Sequence, residues 1–165
     1  MEEIFKRVSV RKFTDQEVEE EKIEKILRAA MASPSAKNGQ PWEFYVIRNK
    51  ELLQKLAEST PYSMCVKNAP LAIVICYKNK DLVAPEFKEI DCAIATENIL
   101  LQAVHENLGG VMIGISPNEE KMKNVEEVLN IPNHLRAFTI IPIGYPDHEK
   151  QQEDRFDLKK IHRID

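Results

Sequence analysis

Apolar residues recur at three- and four-residue intervals through residues 18–31, where Ile23, Ile26, Leu27, Ala30 and Met31 leave the other face to Glu and Lys. That period predicts an amphipathic helix. The next nine residues, SPSAKNGQP at 33–41, hold two prolines, a glycine and small polar side chains, and are expected to form a loop. Phe44, Tyr45, Val46 and Ile47 predict a strand over 43–47, and Leu52, Leu53 and Leu56 a short helix over 50–58. The unbroken run LAIVICY, 71–77, has no polar face, which predicts a central strand covered on both sides. Residues 90–108 predict a long helix with Ala93, Ile94, Ile99, Leu100, Leu101, Ala103 and Val104 spread over several faces, the pattern of a buried helix. Gly109 and Gly110 are expected to stop it by taking the left-handed conformation past its C-terminus. A short strand around 111–115, a helix over 119–129 and a strand over 137–144 follow. Pro142 lacks a ladder donor, so that last strand is expected to end there or to lie at a sheet edge.

The elements alternate without the strict βαβαβ order of a doubly wound sheet, which predicts an α+β sandwich with helices on a mostly antiparallel or mixed sheet. A chain of 165 residues fits a single domain with one hydrophobic core. Its tail, 147–165, is highly charged, with Phe156, Leu158, Ile161 and Ile164 as its large apolar anchors. Such a tail is expected to find its packing on a partner subunit.

Composition narrows the function classes. With 43% hydrophobic and 30% charged residues the chain reads as soluble and globular, and a net charge of -4 gives no general attraction to nucleic acid. No run of 18 apolar residues is present, and MEEIFKRVSV lacks the apolar core of a signal peptide, so no membrane partner and a cytoplasmic location are expected. Cys65, Cys76 and Cys92 form no CxxC pair and are expected as reduced thiols, while four scattered histidines offer no metal-ligand spacing.

Candidate chemistry begins at KRVSVRKF. Arg7, Ser9 and Arg11 fall at alternate positions, which an extended backbone would turn the same way, and two guanidiniums with a hydroxyl suit a phosphate monoester. Spacing alone leaves solvated surface arginines as the commoner alternative. Likewise the loop at 33–41 offers many donors or is simply a turn, and GGVMIG, 109–114, permits close backbone approach to a flat ligand or simply closes a helix. GGVMIG is neither a P-loop nor a Rossmann fingerprint, and no nucleophile with a neighbouring base is readable, so no side chain is assigned a catalytic role.

Taken in order, KRVSVRKF, ASPSAKNGQPWEFYVI, NLGGVMIG, IIPIGYP and RFDLKKIH resemble the nitroreductase-like flavoprotein family over nearly the whole chain. The resemblance implies an α+β sandwich, FMN as cofactor, and an intertwined homodimer with two flavin sites at the subunit interface. It implies that Arg7 and Ser9 hold the FMN phosphate with backbone help from Val8, and that Arg155 adds a cation from the tail. Arg11 would lie toward the pyrimidine end of the flavin, where positive charge favours the reduced state. Pro34, Ser35 and Asn38 would reach the flavin from the partner subunit, and Met112, Ile113 and Gly114 would lie along its ring. The implied activity is electron transfer from NADH or NADPH to a small organic acceptor such as a nitroaromatic, quinone or activated alkene. A carrier or redox sensor that binds FMN without nicotinamide turnover is the alternative. The sequence departs from its relatives at Glu153, where a second basic residue is common, and in the brevity of the link at 78–89.

Overall fold

The structure, a computed structural model, describes residues 2–164, so Met1 and Asp165 lie outside the described residues. In chain order the elements are α1 (Glu3–Lys6), α2 (Glu20–Met31), β1 (Trp42–Ile47), α3 (Lys50–Glu58), β2 (Leu71–Lys78), α4 (Lys88–His105), β3 (Gly109–Gly110), β4 (Ile113–Gly114), α5 (Glu119–Leu129) and β5 (Leu135–Gly144). Helices α3 and α5 occupy the predicted spans. Each begins at an asparagine whose side chain accepts from the backbone N–H three residues on, Asn49 from Leu52 and Asn118 from Lys121, both at 3.0 Å. A capped start and a clean apolar period make such helices readable from local sequence.

The strands pair antiparallel in the order β1-β2-β5-β3, with β4 also on β5. All of β2 except Lys78 is buried, as an apolar run without a polar face requires. Helix α4 packs on β2 and β5 with α2 against it, while α5 packs on β5 and touches α3. Ile73, Ile75, Ile99 and Ile140 are fully buried where these elements meet. Among the described residues no helix is long and apolar enough to cross a membrane.

Four expectations are corrected. Pro142 is interior to β5, opposite Ala72 of β2, and neither ends the strand nor lies at an edge. On the far side Gly110 pairs with Ile143 and Ile113 with Ile140, which leaves a gap opposite Pro142. A Cβ built at Gly110 would stand 2.8 Å from the Pro142 carbonyl oxygen, so that carbonyl faces β3. The donorless nitrogen of the same residue faces the same way, where no ladder partner is missed. The predicted strand at 111–115 is correspondingly shortened to β4 at Ile113–Gly114, with β3 standing before it at Gly109–Gly110.

The left-handed residue after α4 is Asn107, with φ of 61°, and neither glycine has positive φ. Asparagine accepts this conformation better than other non-glycine residues. What Gly109 and Gly110 supply is closeness, since added Cβ atoms would lie 2.5 Å from Val10 Cγ2 and 2.8 Å from the Pro142 oxygen. The predicted burial of α4 holds for one face only: Cys92, Ala95, Ile99 and Ala103 are buried, whereas Ile90 is 55% exposed and Ile94, Leu101 and Val104 are partly open.

Of the three free thiols, Cys76 and Cys92 are buried in the core and Cys65 is half-buried on the helical turn Met64–Asn68. Burial pushes the Cys92 thiol up to about 12 and that of Cys76 higher still.

Candidate cofactor site

The segment after α1 runs along the sheet, with Ser9 bridged to Gly110 and the Val10 N–H donating to the Gly110 carbonyl at 3.0 Å. Beyond β5 the chain turns back beside it. Phe13 bridges Pro146, the Asp147 N–H donates to the Lys12 carbonyl at 3.3 Å, and Gln152 Nε2 donates to the carbonyls of Arg7 at 3.0 Å and Ile4 at 3.3 Å. Residues 146–152 are thereby laid antiparallel along residues 7–13. Past Gln152 the apolar anchors find little cover on their own chain: Phe156 is 72% and Ile164 96% exposed.

Between the two segments lies a cavity of about 290 Å³ lined by Arg7, Val8, Ser9, Arg11, Lys150, Gln151, Gln152, Glu153 and Arg155. Arg7, Val8 and Ser9, expected with Arg155 on one phosphate, thus lie with it in one cavity lining, drawn from opposite ends of the chain, and Arg11 shares that lining. Lys150 and Gln152 were not foreseen; one lysine among the charges of HEKQQEDR carries no local signal. Arg7 is held from behind by α4, its Nε 3.5 Å from Glu97 Oε1, with its side chain only 19% exposed. The remaining cations, Arg11, Lys150 and Arg155, face one carboxylate, Glu153, in the lining. A cavity so charged in a chain of net charge -4 suits a phosphate, which guanidiniums bind with paired charged hydrogen bonds.

The loop at 33–41 is tied to α4 at its first turn and near its middle. The Ala36 N–H donates to the buried Asp91 carboxylate at 3.1 Å, and Asn98 Nδ2 donates to Ser33 Oγ at 2.7 Å. Within the loop the Gln40 N–H donates to Ser35 Oγ at 3.0 Å and Gln40 Nε2 to Asn38 Oδ1 at 2.9 Å. Lys37, Asn38 and Gln40 all have positive φ, a strained run that these bonds hold in place. Pro34 and Asn38 are exposed at its outer surface, and neither they nor Ser35 line the arginine cavity. Replacing Asp91 with alanine should strip the Ala36 N–H of its acceptor and cost about 1–3 kcal/mol. Hydrogen exchange at Ala36 should rise steeply; unchanged protection would show that the carboxylate does not hold the loop.

Met112, Ile113 and Gly114 form the far edge of the same sheet segment. Ile113 is buried, and its carbonyl accepts from Thr139 Oγ1 at 2.8 Å, while Met112 is 41% exposed. A Cβ added at Gly114 would meet nothing within 4 Å among the described residues beyond its chain neighbours, so the space in front of it is open. From Gly110, which Ser9 touches, to Gly114 is at most ~14 Å of chain. The cationic cavity and the open edge at Gly114 are thus joined through the same sheet segment, and the residues present fit FMN.

Similar proteins share this arrangement's fold. The nitroreductase family profile matches residues 4–64 and 59–145. A Methanothermobacter thermautotrophicus protein, provisionally named an NADH dehydrogenase/NAD(P)H nitroreductase, is 44% identical over 98% of this chain and 85% of its own length. Among solved structures, a Clostridium acetobutylicum protein provisionally named an NADH oxidase is 45% identical, with a TM-score of 0.94 over 97% of both chains. An FMN-dependent nitroreductase from Clostridium difficile is 36% identical, with a TM-score of 0.92 over 99% of this chain and 98% of its own. On the profile match and on these identities, the chain belongs to the nitroreductase family.

Proposed function

We propose that this chain is an FMN-dependent oxidoreductase that takes electrons from NADH or NADPH and passes them to a small organic acceptor such as a nitroaromatic, quinone or activated alkene. The observation that carries the reading is the cationic cavity of Arg7, Arg11 and Arg155 on the same sheet segment as the open edge at Gly114. Bound FMN supplies the redox chemistry, accepting two electrons from the nicotinamide and returning them to the acceptor. Arg7, Ser9 and Arg155 anchor the phosphate, which fixes the ligand's position along the sheet. Gly114 leaves room for a ring to lie against the backbone, with Met112 as an apolar neighbour. Arg11, on the wall of the same cavity, adds positive charge that favours a ligand gaining negative charge on reduction. None of these side chains needs to act as base or nucleophile.

The same reading includes a homodimer. The second face of α4, with Ile90, Ile94, Leu101 and Val104, and the uncovered Phe156, Leu158, Ile161 and Ile164 of the tail are apolar surface that a partner subunit would bury. Pro34, Ser35 and Asn38 stand apart from the arginine cavity of their own chain, as they would if they completed the partner's site. Three free thiols fit a reducing cytoplasm.

The first test is an anaerobic visible spectrum of the purified protein before and after NADH or NADPH. Flavin bands that bleach are expected. Bands that persist would identify a carrier or sensor, and an absence of bands even after adding FMN would overturn the reading. Sedimentation at micromolar concentration should give a dimer; a flavin-loaded monomer would remove the partner from the site.

A further inference from the structure

The open edge at Gly114 runs on into a polar group that the phosphate cavity does not touch. Ile113 and Ile115 are buried, whereas Gly114 is exposed and Ser116 half-buried. The N–H groups of Ile115 and Ser116 both donate to the Phe138 carbonyl, at 3.1 and 3.0 Å, so the chain stays on β5 as far as Ser116. Two residues of chain span at most ~7 Å, which keeps Ser116 close to the edge against which the ring is placed.

Ser116 is joined there to the first turn of α4. Its Oγ donates to Glu89 Oε1 at 2.5 Å, and the Tyr77 hydroxyl, from the end of β2, donates to the same oxygen at 3.4 Å. Burial pushes the Tyr77 phenol up, so it stays protonated and remains a donor. Both bonds favour the ionised carboxylate, as does the N-terminal end of the helix that carries it. Among the described residues no lysine or arginine pairs with Glu89, and its Oε2 accepts no hydrogen bond. Neighbouring Lys88 turns to the Pro85 carbonyl at 3.2 Å and lies over the Tyr77 ring, 5.3 Å from its centroid. Asp91, two residues on, adds a second negative charge to the same turn, where it accepts from the Ala36 N–H.

We propose that Glu89 sets the charge preference of the acceptor site, disfavouring anionic acceptors and favouring neutral or cationic ones whose N–H or O–H groups its second oxygen can receive. The proposal rests on the FMN reading and names the acceptor class within it. Ser116 and Tyr77 are positioning residues that hold the carboxylate still. At roughly 10 Å and an effective dielectric constant of about 20, one fixed charge changes the affinity of a charged ligand on the order of tenfold, and less as salt screens it.

The test is a set of binding titrations on FMN-loaded protein with no electron donor present. The ligands are para-nitrobenzoate, para-nitrobenzamide and para-nitrobenzylamine, which are anionic, neutral and cationic at neutral pH, and dissociation constants are read from the perturbed flavin spectrum. Wild type should bind the amine tightest and the benzoate weakest, with the spread narrowing at high salt. Glu89→Gln, whose amide oxygen can still accept from Ser116, should tighten the benzoate and weaken the amine about three- to tenfold each and move the benzamide less than about twofold. Ser116→Ala keeps the charge and should keep the order. A wild type that prefers the benzoate, or binds none of the three, would overturn the proposal. So would an unchanged spread in Glu89→Gln, equal losses for all three ligands, or a collapse of the order in Ser116→Ala as large as in Glu89→Gln. The FMN reading survives each of these results, whereas a protein that binds no FMN overturns both.

Discussion

Replacing Arg7 with alanine is expected to weaken FMN binding roughly ten- to hundredfold while leaving riboflavin binding nearly unchanged. The estimate is the value of a charged hydrogen bond, about 1.5–3 kcal/mol, turned into affinity. Arg7 is chosen over Arg155 because it is mostly covered and steadied by Glu97, so less conformational entropy is lost when it grips an anion. Glu97 is itself more than half exposed, so losing its partner should cost the fold little. Titrating both ligands by fluorescence separates a phosphate contact from a ring contact. If the two ligands lose affinity equally, Arg7 is acting on the ring or on the fold, and the phosphate assignment falls.

The second large effect contrasts two glycines four residues apart. Gly110→Ala should destabilise the protein by about 1–3 kcal/mol or more, because its Cβ would meet a backbone oxygen at 2.8 Å in β5, a strand paired on both sides. For a chain of this size that corresponds to a fall in Tm of roughly 2–10 °C. Gly114→Leu should leave the Tm of the flavin-free protein almost unchanged, since the space in front of Gly114 is empty for at least 4 Å. It should nevertheless weaken FMN binding at least about tenfold by filling the place of the ring. Full FMN affinity in Gly114→Leu would move the ring away from this edge.

These cases show what local sequence can and cannot say. Helices α3 and α5 were readable because the cap, the period and the end all fall within a dozen residues. The tolerance of Pro142 was not, because it depends on a gap between two strands about thirty residues away, and local reasoning sees only the missing donor. Asn107 takes the left-handed turn that composition alone would give to the nearby glycines, whose real constraint is a side chain and a carbonyl from elsewhere in the fold. At the site, Arg7, Ser9 and Arg11 carried a spacing signal, and Arg155 was found by resemblance. Lys150 and Gln152 had neither, since only the antiparallel return of the chain brings them to the cavity. The role of Asp91 was hidden for a related reason: one acidic residue in a helix rich in them is unremarkable until its loop partner is seen.

The placement of the cysteines bears on how long such a protein lasts. Chemistry that hands electrons to small molecules in air also generates peroxide, and the thiolate is the form of cysteine that peroxide attacks. Cys76 and Cys92 are sealed in the core and held protonated by burial, so oxidative damage to them must wait for the chain to open. Cys65, half-covered on its turn, is the thiol an oxidant meets first. Oxidative wear should therefore begin at that turn, with the core spared for as long as the fold persists.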